Sequence, residues 1–113
     1  MKTVTQKITL DELRQMAAAL FGDFVKAVVD IDRGVMAVDA QLHSDLEALL
    51  LEEGSKQKDL WGINLYPEIQ GDDFVEFDSM INMRPSQGNR SRGVENAEIR
   101  TKILEVLGQR VAR

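Results

Sequence analysis

The chain has 113 residues, enough to bury a core but too few for two ordinary domains, so one globular domain over residues 1–113 is expected. Its formal charge of −5 disfavours the broad basic footprint that holds duplex nucleic acid. The absence of cysteine excludes disulfides, thiolate metal sites and cysteine nucleophiles. The charged opening stretch MKTVTQKITLDEL lacks the apolar run of a signal peptide or membrane span, which points to a cytoplasmic protein with no membrane partner.

In chain order, Thr9-Leu10-Asp11-Glu12 is a capping-box pattern that predicts a helix to about Phe21. Its apolar stripe is Leu10, Leu13, Met16, Ala17 and Leu20, and Gly22 ends it. From Phe24 to Leu42 the period changes to two and predicts a hairpin turning at Arg33-Gly34. A two-residue turn there sets Ile31 opposite Met36, Val29 opposite Val38 and Ala27 opposite Ala40 on one apolar face. The other face then carries Lys26, Asp30, Asp32, Asp39 and Gln41. Ser44 reads as the cap of a second helix that ends at Gly54.

A second strand pair follows. Leu60 to Tyr66 places Trp61, Ile63 and Leu65 on one face, and Phe74 to Met83 places Val75, Phe77, Ile81 and Met83 likewise. Their opposite face holds Asn64, Tyr66, Glu76, Asp78 and Asn82. After Pro85 a polar loop leads to a third helix capped by Asn96, with Ile99, Ile103, Val106 and Leu107 inward. The fold class is therefore α+β: a four-stranded, mainly antiparallel sheet with helices packed on one face, in the order α-ββ-α-ββ-α.

The stretches VVDIDRG, LHSDLE, LWGINLYP and EFDSMINMRPSQGNRSR, spread over about Val28 to Arg92, resemble a small prokaryotic family of unknown function. The resemblance implies a stand-alone bacterial or archaeal protein. It brings no activity, cofactor or catalytic residue.

Two groups of residues are candidate sites. Arg84, Asn89, Arg90 and Arg92 cluster in the loop before the third helix, where guanidinium forks and free backbone amides suit a carboxylate or phosphate. The bland reading pairs Arg84 with a strand carboxylate such as Asp78 and leaves the rest as a solvated loop. The polar sheet face offers Asp30, Asp39, Glu76 and Asp78 with the one histidine, His43, as an alternative set for a hard cation. Its bland reading is an ordinary wet sheet face. No phosphate-loop, dinucleotide or metal signature is present, so no cofactor is assigned.

Three functions fit these residues. The favoured one is a non-enzymatic binding or regulatory module that takes an anionic small ligand or protein partner through the arginine-rich loop. The alternatives are a metal-dependent hydrolase of a phosphorylated substrate and a homodimeric assembly protein joined through a sheet face or edge.

Overall fold

Alternating apolar residues build the centre of the computed structural model, which describes every residue from Met1 to Arg113. The elements are β1 (Lys2–Val4), β2 (Ile8–Thr9), α1 (Leu10–Ala19), β3 (Val25–Asp30), β4 (Val35–Val38), α2 (His43–Glu52), β5 (Leu60–Leu65), β6 (Val75–Glu76), α3 (Ala97–Arg110) and β7 (Val111–Ala112). Short 3-10 turns occupy Gln57–Asp59, Gly71–Phe74, Met80–Asn82 and Pro85–Gln87. The main sheet is antiparallel in the order β1-β4-β3-β5-β6, and β2 and β7 form a small parallel pair. No helix is long and apolar enough to cross a membrane.

The helix ends follow the local chemistry in two cases of three. Thr9 Oγ1 accepts from Glu12 N while the Glu12 carboxylate accepts from Thr9 N, closing the capping box. Asn96 Oδ1 accepts from Glu98 N and Ile99 N at the start of α3. Helix α1 stops at Ala19, two residues before the expected Phe21. Helix α2 departs from its expected cap: it begins at His43, and Leu42 occupies the N-cap with no side-chain bond.

The sheet differs from the sequence expectation in four ways. It has five strands in place of four, because Lys2–Val4 pairs with β4 as an added edge. The hairpin loop holds four residues, Ile31 to Gly34, so Val29 faces Met36 and Ala27 faces Val38. This slip of two positions keeps the side chains of β3 and β4 on their expected faces, since the pleat repeats every two residues, but β4 ends at Val38 and Ala40, expected opposite Ala27, packs with Val28, Ala37 and Leu46 on the other face. Asp30 fixes the longer loop: its Oδ1 accepts from Asp32 N and Arg33 N, and its Oδ2 accepts from Ser55 Oγ at 2.6 Å. The expected strand from Phe74 to Met83 shrinks to Val75–Glu76 before the chain enters 3-10 turns.

The fourth correction concerns the helices, which cover both faces of the sheet. On one face, α1 and α3 pack Leu13, Ala17, Ile103 and Leu107 against Ala27, Val29, Met36, Trp61 and Ile63. On the other, α2 packs Leu46 and Leu50 against Val28, Val35, Ala37 and Leu60. Leu46 and Leu50 are fully buried, and each contributes roughly 1.5–3 kcal/mol by leaving water.

Where β6 ends, a side chain takes the place of a strand. Asn82, fully buried, accepts from Gly62 N at 2.8 Å through Oδ1 and donates through Nδ2 to Gly62 O and Arg92 O, each at 2.9 Å. Its amide thus supplies to β5 what the next residue pair of a neighbouring strand would supply. Gly62 permits the approach, because a Cβ there would lie 2.5 Å from Ser79 Cβ and 3.2 Å from His43 Cδ2.

Asn82→Leu leaves the Gly62 N–H and carbonyl without their partner and takes from the Arg92 carbonyl one of its two donors, Ser79 N remaining. A stability loss on the order of 3 kcal/mol in urea unfolding is expected. Arg90→Ala, at an exposed position of the same region, should stay within about 0.5 kcal/mol of the parent.

Candidate functional site

Helix α2 covers only part of its sheet face, and the uncovered part becomes a cleft. Lys26 on β3 pairs with Asn64 on β5, which pairs with Glu76 on β6, so these three form a row across the sheet. All three project to the α2 side, because Trp61, Ile63 and Leu65 fill the opposite face. The amino end of α2 forms one wall with Leu42, His43 and Ser44. Asp78 to Ile81, with Arg92, forms the other. The enclosed volume is about 330 Å³, within the range of small-ligand sites.

His43 is buried, and its Nε2 lies 2.8 Å from the Ile63 carbonyl oxygen. A carbonyl only accepts, so Nε2 carries the proton and Nδ1 of the neutral ring keeps a free lone pair. Burial pushes the imidazole pKa down; the Ile63 carbonyl and Asp78 oppose this, while Lys26 and Arg92 add to it. The ring is therefore a neutral acceptor at physiological pH.

Asn64 is 6% exposed and donates through Nδ2 to Glu76 Oε1 at 2.8 Å and to Asp78 O at 3.4 Å. Its Oδ1 has no partner in the fold. Tyr66 Oη donates to the same Glu76 oxygen at 3.1 Å. Burial and the neighbouring carboxylate raise the Tyr66 pKa, so the phenol stays protonated. Lys26 forms no ion pair, and its Nζ sits 5.1 Å from the Phe21 ring centroid. Arg92 Nε donates to Asp78 Oδ1 at 2.7 Å, and both side chains are about half exposed.

The four residues of the arginine-loop candidate do not act together. Arg84 stacks on Trp61, with its guanidinium carbon 4.2 Å from the ring centroid, and donates to the carbonyls of Gln57 and Leu60. Burial lowers its pKa, while Glu47 and Asp59 oppose the shift. Asn89, 3% exposed, donates through Nδ2 to the carbonyls of Asn82, Ser91 and Gly93 and accepts from Glu95 N. Both therefore hold the loop in shape. The N–H groups of Arg90 and Ser91 donate to Glu95 at 2.6 and 2.8 Å, which keeps its carboxyl below the usual range. Arg90 itself is exposed, and only Arg92 reaches the cleft. Asp78 pairs with Arg92, where the sequence suggested Arg84.

The alternative metal set also divides. His43, Glu76 and Asp78 line the cleft, while Asp30 lies four residues along β3 from Lys26 and is bound to Ser55. Asp39 sits beyond the end of β4 with φ at 75°. No group of three or more histidine or carboxylate side chains is placed to hold a metal ion. Sequence reasoning missed Lys26 and Asn64 as a functional pair. Their signal was positional, since both fall on the polar parity of strands that the register places side by side.

Residues 2–110 match the family described as protein of unknown function (DUF5674), and the chain belongs to that family. No curated protein and no solved structure matches it.

The lowered His43 pKa fixes a pH dependence. The unfolded ring, with its ordinary value near 6.5, binds a proton before the folded one. The stability gained from a neutral His43 is full above pH 6.5 and is lost as pH falls through the lowered folded value. In urea unfolding at stepped pH, His43→Gln should flatten this part of the slope, while Lys26, Asp78 and Arg92 around the ring stay in place.

Proposed function

We propose that this protein is a non-enzymatic binding or regulatory module whose cleft, between the amino end of α2 and the Lys26-Asn64-Glu76 row, takes an anionic group of a small ligand. The observation that carries this reading is the meeting of two side-chain cations from separate elements, Lys26 and Arg92, beside a helix start that no side chain caps. Helix N–H groups and the helix dipole favour an anion at that point. Lys26 has no carboxylate to neutralise it, and Arg92 commits one nitrogen to Asp78 and keeps the rest of its fork. The nearly buried Asn64, which lines the cleft floor and whose amide oxygen has no partner in the fold, supports a ligand site independently of the helix end.

The reading moves the anion site from the loop as a whole to its last arginine. Backbone amide NMR titration with acetate and with inorganic phosphate tests it. Saturable shifts at Lys26, His43, Ser44 and Arg92 are expected, and Lys26→Ala or Arg92→Ala should weaken the response by roughly tenfold or more. Shifts confined to Ser86 through Arg90, or equal binding in both variants, would overturn the cleft assignment.

A further inference from the structure

The cleft is electrically balanced, although the protein as a whole is acidic. Lys26 and Arg92 bring two positive groups, and Glu76 and Asp78 bring two negative ones. An anion alone satisfies only the donors. The cleft residues also carry acceptors that no protein donor serves: His43 Nδ1, left bare because Nε2 serves the Ile63 carbonyl, and the shielded Asn64 Oδ1. Glu76 adds a carboxylate whose Oε1 takes both the Asn64 and the Tyr66 protons, leaving Oε2 unengaged by the protein. Of these, Asn64 Oδ1 is closed off from water, where an acceptor without a donor is costly.

Donors and acceptors occupy different places. Lys26 and Glu76 flank Asn64 on neighbouring strands, roughly 10 Å apart between backbones, with side chains free to lean over the central residue. The rim is apolar: Leu42 is 55% and Met80 64% exposed, and Phe24 stacks on Phe21 and lies tilted against Tyr66. Large exposed apolar side chains at the mouth of a polar cleft suit a ligand with an apolar tail.

Building on the anion site proposed above, we infer that the ligand is a small zwitterion of the α-amino-acid type with an apolar side chain. Its carboxylate lies toward Lys26, Arg92 and the start of α2. Its ammonium donates to Glu76, and its apolar tail rests on Leu42 and Met80. The occupied cleft thereby satisfies both the free cations and the free Glu76 oxygen, which neither a simple anion nor a simple amine does.

Isothermal titration of the full chain with three probes tests this inference: L-leucine, 4-methylpentanoate, which lacks the ammonium, and 3-methylbutylamine, which lacks the carboxylate. L-Leucine should bind roughly 10- to 100-fold more tightly than either, the worth of a hydrogen bond to a charged group. Glu76→Gln should reduce leucine affinity by about tenfold while leaving 4-methylpentanoate unchanged. Equal binding of leucine and 4-methylpentanoate would overturn the zwitterion and leave the anion site standing. Equal loss of both in Glu76→Gln would make Glu76 a structural residue and likewise sink the inference. Absence of binding by all three probes, in a chain that still responds to acetate or phosphate, would reject the amino-acid class alone. Absence of any response would reject both proposals.

Discussion

The pairing of the Asn82 amide with the Gly62 backbone is the contact on which the rest of the cleft depends. A central strand needs a partner on each edge, and β6 supplies one to β5 only at Asn64 and Leu65. Further along, the chain must either leave Gly62 unpaired or bring in a substitute. A buried asparagine is a good substitute because its amide carries a donor and an acceptor in peptide-like geometry. Once Asn82 is in place, its backbone and its Nδ2 fix the segment around it: Asn89 donates to the Asn82 carbonyl, and Arg92 is held by its own carbonyl. The two asparagines convert a stretch rich in glycine, serine and arginine into an ordered wall.

That wall and α2 stand on the same sheet face. Gly62 lies beneath both, near Ser79 on one side and His43 on the other. The absence of a side chain at this one strand position lets the two walls close to the sheet, and the open floor begins at the next residue of that parity, Asn64. The cleft is thus the remainder of a covered face, bounded by a helix start and a short 3-10 turn. The polar side chains of its floor, Lys26, Asn64 and Glu76, sit on strands backed by Trp61, Ile63 and Leu65, a rigid support for ligand contacts.

The arginines show how one residue type divides its work. Arg84 lies over the Trp61 ring and bonds two carbonyls, so its charge serves to join the loop to β5. Arg92 meets a half-exposed carboxylate and keeps donors free. The difference lies in surroundings, since both come from the same arginine-rich segment. Screening by water makes the Arg92-Asp78 pair a modest stabiliser, which leaves it free to exchange partners.

The sequence alone determined the α+β class, the three helices, the capping by Thr9 and Asn96, and the apolar face built on Trp61, Ile63, Val29 and Met36, because these follow from periodicity and local hydrogen bonding. It also carried a signal for the second covered face: Val28-Val29, Val35 to Val38 and Leu60-Trp61 are apolar at both parities, as strands buried on two sides are. Arg92, His43, Glu76 and Asp78 were legible as polar groups near a site, but their company was not. Only the tertiary structure decided that β3 lies beside β5, that α2 crosses to the opposite face from α1 and α3, and that Asn82 replaces a strand. Those choices rest on contacts between residues far apart in the chain, which local pattern does not encode, and they alone bring Lys26, Asn64 and Arg92 to one cleft.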